Sequence, residues 1–397
     1  MKHEEQVRQI KVMLDRIDSG TTVDAGGFLA NPMSVYTDED LAAEEWAEFF
    51  RGQAHLIGLS GDLAEPGSFL TMDDLGTPIL ATRTDGGEFK AFVNACRHRG
   101  VTVETRPSGT ARRFTCPFHS WSYSNEGALV GIPKTDHFGD IDPSCHGLIE
   151  LPALEHAGLL FVHPQPGGII DLHALLGKEL LAELENWNFG LLEHLGGDTY
   201  EVDCNWKLAM DTFGETYHFE SLHRDTLAMN FRGNVQCYDT FGRNHRMLLC
   251  KRAIDHIRHL PEDEWDIAEA TLPVYYLFPS VQLMPSDGVL FLVRAYPDPT
   301  NPGRHVSRIT FYAWPHRGEM VGADHREMLS MVGHGFANII RDEDYVASAS
   351  QQRTAESGAM DYALFGRNEP ALHHYHNTYR QALGRDRLPL LPEAPTS

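Results

Sequence analysis

Four residues in two short clusters have the types and spacing to hold metal. They are Cys96 and His98 in Cys96-Arg97-His98, and Cys116 and His119 in Cys116-Pro117-Phe118-His119, after a gap of seventeen residues. Each cluster offers one thiolate and one imidazole. A pair of irons bridged by sulfide can take both thiolates on one iron and both imidazoles on the other. The histidines raise the potential of such a [2Fe–2S] centre above that of an all-cysteine cluster. A zinc site with two cysteines and two histidines is the competing use of these donors. Its local pairs are usually Cys with Cys and His with His, whereas both local pairs here are mixed. Gly100 suits a tight turn after the first cluster. Ser120 and Trp121 can donate hydrogen bonds toward the second.

A second constellation lies downstream, in the run from Asn205-Trp206-Lys207 through Glu215-Thr216-Tyr217-His218 to His223. Glu215 and His218 would share a helix face. His223 falls off that face, so the helix must break or bulge near it. Two histidines and one carboxylate can bind Fe(II) on one triangular face and leave positions open. In a chain with 22 histidines, two at this spacing are by themselves ordinary surface residues. Asp342-Glu343-Asp344, taken alone, reads as a solvated acidic helix face. His373-His374-Tyr375-His376 reads as surface histidines on a C-terminal helix. Cys145, Cys204, Cys237 and Cys250 read as buried thiols.

The elements that must position these residues follow from the pattern of the chain. The first ~45 residues read as a helical arm and a Gly-containing loop, with boundaries good to about 2–4 residues. Asp38-Glu39-Asp40 then opens an amphipathic helix through Phe50. From about His55 to His163, short β-rich runs such as 78–83 and 89–93 alternate with turns like Asp85-Gly86-Gly87, the texture of a small antiparallel β domain. Pro164-Gln165-Pro166-Gly167-Gly168 punctuates the chain. Helices are expected over roughly 171–186 and 206–223, then strands over 273–285, 289–296 and 306–314. A helix is expected from about Ala323 past Gln352, with a break. The fold class is α+β with an antiparallel sheet. The expected domains are an arm over 1–45 that packs on the last domain, a cluster domain over 46–165 and a catalytic domain over 166–397. The tail from Pro389 to Ser397 reads as loose.

Composition narrows the function classes. The chain has 397 residues with 33 basic and 56 acidic side chains, a net charge of −23. That charge disfavours nucleic acid and anionic membrane surfaces as partners. No secretory signal and no apolar run long enough to span a bilayer are visible. Six cysteines in a long chain suggest a reducing compartment, and the expected location is cytoplasmic.

With these motifs in hand, CRHRG…CPFHSW resembles the cluster loops of Rieske non-haem iron oxygenase large (alpha) subunits. The electron-transport Rieske proteins carry an extra cysteine in each loop, which this chain lacks. The block NWK…E-x-Y-H-x-x-x-x-H resembles the iron-binding segment of the same family, the aromatic-ring-hydroxylating and oxidative-demethylating oxygenases. The resemblance implies a Rieske [2Fe–2S] cluster on Cys96, His98, Cys116 and His119, and a mononuclear Fe(II) on His218 and His223. It implies Asp344 as third ligand, by alignment of Gln352 with a family Gln, and Asp342 as the fallback. Glu215 takes the place of the acidic residue, often Asp, that bridges a cluster histidine of one subunit to an iron-ligand histidine of the next. Asp211-Thr212 stands where many members have Glu-Asn. The implied activity uses O₂ and electrons from an NAD(P)H-dependent reductase, with or without a ferredoxin, to hydroxylate or demethylate a small substrate, aromatic by expectation. The implied assembly is a homotrimer. Two other readings stand beside it: a quaternary-amine monooxygenase of the same family, toward which Glu215 leans, and a Rieske electron-transfer protein without oxygenase activity.

Overall fold

The computed structural model describes residues 1–286, 288–315 and 322–391. The chain divides into two units, each with its own core.

One unit comprises Trp46–Asp171 and Trp187–His194 and is built of antiparallel strands. Its largest sheet has five strands, in the order Glu150–Leu151, Phe89–Val93, Ile79–Arg83, Ser68–Met72, Ser108–Thr110. Thr84 to Gly87 makes the turn between Ile79–Arg83 and Phe89–Val93, with Gly87 at φ +84°, a conformation that glycine adopts without a Cβ penalty. A second, three-stranded sheet joins Arg113–Thr115, Ser122–Ser124 and Leu129–Gly131. The core between the strands is aromatic. Phe69, Phe92, Phe114, Trp121 and Tyr123 are buried together, and Phe69 meets Phe114 edge to face at 5.3 Å, the geometry that the ring quadrupole prefers.

The other unit comprises Met1–Glu45, Leu172–Asn186 and Leu195–Ser397. Its centre is a seven-stranded sheet, in the order Glu193–Val202, His305–Ala313, Val289–Pro297, Val281–Pro285, Thr271–Leu277, Asn244–Lys251, Phe231–Phe241. The run expected as one strand over 273–285 is a hairpin of two, because Phe278-Pro279-Ser280 turns the chain. On one face Val274, Met284, Phe291 and Phe311 pack against Ala337 and Ile340 of the long C-terminal helical segment. In a second core of the same unit, helix His3–Ser19 places Ile10 and Met13 against Leu248, Ile254 and Trp265. Full burial of each such side chain stabilises by roughly 1.5–3 kcal/mol.

Other expectations about elements change as well. The helix through Phe50 is α-helical only over Glu39–Glu45 and continues as a π-helical turn over Trp46–Arg51. The helix over 171–186 is two, Leu172–Leu176 and Lys178–Glu185, separated by Gly177 at φ +77°. The tail is not loose at its start: Leu390–Leu391 pairs with Phe28 and Leu29 as an edge strand, and residues 392–397 lie outside the described residues. Among the described residues, no helix is long and apolar enough to cross a membrane.

Candidate metal centres

Cys96 and Cys116 stand on two backbone turns of the β unit. In the first, Cys96 N–H donates to Val101 O and Gly100 N–H to Cys96 O, each at 2.8 Å, and Gly100 takes φ +75°. In the second, Cys116 N–H donates to Trp121 O at 2.8 Å and Ser120 N–H to Cys116 O at 3.0 Å. Both sulfurs are buried. Burial pushes the Cys116 thiol up, and the backbone N–H groups of Phe118 and His119 act against that shift, as donors aimed at a thiolate do. The rings of His98 and His119 meet at 4.7 Å, and His98 stacks on Trp121 at 5.1 Å. Trp121 Nε1 is buried with no hydrogen-bond partner among the described residues. Nothing in the sequence pattern singles out Tyr123. Its Oη accepts from Arg97 N–H at 2.9 Å and lies 3.3 Å from Cys96 Sγ, so its own hydrogen is left for the sulfur. Two thiols and two imidazoles at adjacent loop tips, with N–H groups turned to sulfur, fit a mixed-ligand cluster.

In the larger unit the helix expected over 206–223 runs only over Trp206–Asp211, and the chain then follows turns as far as Asn230. Asn205 caps this helix by accepting from Lys207 N–H at 2.9 Å. Gly214 allows the early exit: a Cβ there would stand 2.5 Å from Leu372 Cδ1 and 2.8 Å from Tyr375 Cε2. Glu215 and His218 therefore meet across a turn rather than along a helix face. The Glu215 carboxylate accepts from His218 Nδ1 and, at 3.1 Å, from His218 N–H.

The third residue of this site comes from the other end of the sequence. The expected break in the C-terminal helix is a π-helical segment, Ile340–Asp344, between helices Ala323–Ile339 and Tyr345–Ser357. The extra residue in a π turn rotates the acidic run, as such bulges at functional sites do. Asp342 points outward to Arg341 at 2.6 Å, while Asp344 is buried. Ligand atoms of His218, His223 and Asp344 all lie within 4.8 Å of one another. Asp344 Oδ1 is 3.6 Å from His218 Nε2 and 3.4 Å from His223 Nε2. His218 Nε2 is buried without a hydrogen-bond partner among the described residues. An orphaned ring nitrogen facing a second imidazole and a carboxylate fits a metal ion.

Sequence reasoning missed Glu343. Its carboxylate accepts from His223 Nδ1 at 2.6 Å and from Thr226 Oγ1 at 3.0 Å. Both histidines thus have Nδ1 on a glutamate and Nε2 toward Asp344, the tautomer that a metal needs. Burial disfavours a charged His223, but Asp344 and Glu343 outweigh it and raise its pKa. The only signal was adjacency to Asp344, which a straight helix would have turned away.

The set opens into a cavity of about 490 Å³, within the range of small-molecule sites. The sheet supplies Leu249, Leu272, Val274, Met284 and Phe291. Val332, Phe336 and Ile340, four residues apart, form a stripe of the C-terminal helix that leads to Asp344.

Other expectations need correction. His373 and His376 are buried rather than on the surface. His376 Nε2 meets Asp211 Oδ1 at 3.0 Å, and Tyr36 donates to Asp211 Oδ2 at 2.8 Å, so this cluster is a satisfied core network. Cys204, Cys237 and Cys250 are buried, but Cys145 is exposed.

Residues 53–152 match the model of the Rieske [2Fe–2S] domain, and residues 189–385 that of the ring hydroxylating alpha subunit (catalytic domain). The chain is 30% identical over 223 residues to the anthranilate 1,2-dioxygenase large subunit of Burkholderia cepacia, covering 54% of this chain and 52% of that one. It is 31% identical over 199 residues to the glycine betaine monooxygenase oxygenase subunit of Chromohalobacter salexigens, covering 49% and 43%. The chain thus spans about half the length of the curated relatives it matches. Its fold is similar to that of a quaternary ammonium Rieske monooxygenase solved with L-carnitine, with a TM-score of 0.73 at 18% identity over 89% of this chain and 95% of that one. It is also similar to that of naphthalene 1,2-dioxygenase from Rhodococcus sp. bound to indole, with 0.70 at 19% over 94% and 96%. A Rieske domain followed by a ring-hydroxylating catalytic domain implies a Rieske cluster and a mononuclear iron. The two motifs, their order and these two matches agree: the chain belongs to the Rieske oxygenase alpha subunits.

Proposed function

We propose that this chain is the terminal oxygenase component of a Rieske system that oxidises a small, largely apolar substrate with O₂. One observation carries the reading: His218, His223 and Asp344 converge at an apolar cavity in a chain that also matches the cluster domain. We assign Cys96, His98, Cys116 and His119 to the [2Fe–2S] cluster, and His218, His223 and Asp344 to the iron. The proposed domains are 1–45, 46–165 and 166–397. Electrons come from a reductase, directly or through a ferredoxin, and the working assembly is a homotrimer in the cytoplasm. Bound here, the two centres supply electron transfer and O₂ activation.

The residues around the centres have defined tasks. Glu215 and Glu343 fix the tautomer and orientation of His218 and His223, so that both Nε2 lone pairs converge. Asp344 adds the negative charge that holds a divalent cation. Glu215 also accepts from the N–H of Tyr217, an exposed residue, and is the residue we assign to the link between subunits. The apolar walls bind the hydrocarbon part of the substrate and exclude water. The second reading, a quaternary-amine monooxygenase, is favoured by Glu215 and by the similarity to the glycine betaine enzyme.

The test is an optical and EPR spectrum of anaerobically purified protein before and after dithionite, with iron and sulfide quantified. About three irons and two sulfides per chain with a Rieske-type signal are expected. A colourless zinc protein would sink the proposal.

A further inference from the structure

A second cavity lies in the larger unit and shares no lining residue with the one at the ligand set. Its volume is about 530 Å³, again within the range of small-molecule sites. Its walls have a different chemistry. One wall is a stripe of helix Pro370–Ala382, formed by His374, Asn377, Thr378 and Gln381, spaced as one helical face requires. Another is a hairpin tip. Strands Phe231–Phe241 and Asn244–Lys251 are joined by Gly242-Arg243, with Gly242 at φ +61°, as a two-residue turn demands. The tip is anchored on both sides. His374 Nε2 donates to Gly242 O at 2.9 Å, and Asn244 Nδ2 donates to Leu175 O at 2.8 Å. Asn244 Oδ1 also accepts from Phe278 N–H at 2.9 Å, which ties the Phe278 ring to the tip. Arg387, past the end of the helix, completes the lining.

These walls offer donors that the fold leaves unused. The Arg243 guanidinium lies over the Phe278 ring at 4.4 Å, a contact that occupies its face and leaves its N–H edge free. It has no hydrogen bond or ion pair among the described residues. Burial pulls its pKa down, and no carboxylate opposes that. Asn377 and Thr378 are only 3% and 5% exposed, yet Asn377 Nδ2 and the Thr378 hydroxyl have no partner among the described residues. Asn377 uses its Oδ1 alone, on Leu388 N–H at 2.7 Å. Arg387 is likewise unpaired among them. Burial pulls the pKa of His374 down, and the nearby charge of Arg387 adds to that. Among the described residues no carboxylate lines the cavity. Glu179 lines an adjoining cavity that Arg243 shares, and makes no ion pair with it. In a chain with 56 acidic and 33 basic side chains, two guanidiniums without an acid run against the charge balance of the whole. The helix ends at Ala382, and its dipole sets about half a negative charge against an anion. Two guanidinium charges exceed it.

We infer that this cavity is a second ligand site that takes an oxyanion: a phosphate or carboxylate group gripped edge-on by Arg243, met by Arg387 and hydrogen-bonded by Asn377 and Thr378. A planar guanidinium holds such groups through paired parallel hydrogen bonds. The anchored hairpin tip sets the grip before the ligand arrives, so little order is lost on binding. The site goes beyond the oxygenase reading and does not depend on it.

The test is calorimetric titration of the full-length, iron-loaded protein under argon, at an ionic strength of about 0.15 M that screens loose surface binding. The probes are inorganic phosphate, succinate and the neutral succinamide. We expect one saturable site per chain for at least one anion, and no heat of binding from succinamide. Phosphate binding alone would name a phosphoryl ligand, and succinate binding alone a carboxylate. Arg243→Gln should weaken the anion by about tenfold or more, as loss of a charge-assisted pair does. Arg387→Gln should weaken it as well. Far-UV CD and the cluster spectrum check that each variant is folded. Should Arg243→Gln fail to fold, Arg387→Gln carries the test, since Arg387 is exposed. Asp344→Ala should bind the anion as the unsubstituted protein does, because the site is not the iron. Absence of saturable binding for both anions would overturn the inference. So would unchanged affinity in the folded arginine variants, or loss of binding in Asp344→Ala. Absence of iron and sulfide would defeat the oxygenase reading and leave the anion titrations to be judged by themselves.

Discussion

The two ligand sets are held by opposite means. In the β unit the cysteines are fixed by backbone hydrogen bonds within two turns, and the histidines by ring contacts with each other and with Trp121. No acid hydrogen-bonds to His98 or His119 among the described residues. In the larger unit the ligands lie on irregular turns and a π segment, and each histidine has a glutamate on Nδ1. The first set depends on loop conformation and thiolate donors, and the second on charged partners, one of them brought from 120 residues away. The two sites should therefore fail independently.

The sharpest way to break that comparison is a crossed pair of substitutions. Cys116→Ala should remove the cluster completely, with loss of sulfide and of the Rieske signal, while iron still binds at His218, His223 and Asp344. Asp344→Ala should abolish turnover and mononuclear iron yet leave the cluster spectrum unchanged. Iron and sulfide quantification with EPR on both proteins decides it. Loss of the cluster in Asp344→Ala would show that the sites are not separate.

The same contrast explains what could be read from sequence. Cluster residues sit on turns whose donors are neighbours in sequence, so Cys96-x-His98 and Cys116-x-x-His119 carry the site in their spacing. The iron set does not. Asp344 and Glu343 face inward only because the helix takes a π turn, and residue periodicity cannot report a local change of winding. The early end of the helix at Asp211 depends on Gly214 passing close to Leu372 and Tyr375, a tertiary contact. Burial of His376 likewise depends on Asp211 and Tyr36, which reach it from distant segments. The α+β class and most strands were legible, because alternation and turn residues are local signals.

Both units carry a buried neutral histidine, which gives a second, smaller comparison. Burial pulls His55 in the β unit and His305 in the larger unit down to about 4. His55 Nε2 is 3.0 Å from Phe50 O, and His305 Nδ1 is 2.8 Å from Cys204 O. The unfolded chain takes up these protons near pH 6.5, before the folded one does. Stability is therefore whole above pH 6.5 and falls as pH drops from 6.5 to about 4, by about 3 kcal/mol per site over that window. Urea unfolding at several pH values, followed by cluster absorbance for one unit and by far-UV CD for both, should show this slope. His55→Gln should flatten it for the cluster signal first. A slope unchanged in His55→Gln and in His305→Gln would mean that other groups cause the acid lability.

The smallest expected effect lies at Glu343, and it tests whether charge or only position matters around the iron. Glu343→Gln can still accept from His223 Nδ1 and keep the ring in place, but it removes the negative charge that makes the imidazole a better donor. Glu343→Ala removes both, and frees Thr226 Oγ1 from its acceptor. Partners of this kind are worth about 10–100-fold in metal affinity. The alanine variant should lose iron affinity by about that factor, and the glutamine variant by less, with the cluster signal intact in both. Competition with a chelator under anaerobic conditions measures it. Equal losses would assign Glu343 to charge, an intact glutamine variant would assign it to orientation, and no loss in either would leave Glu215 as the one glutamate that tunes the site.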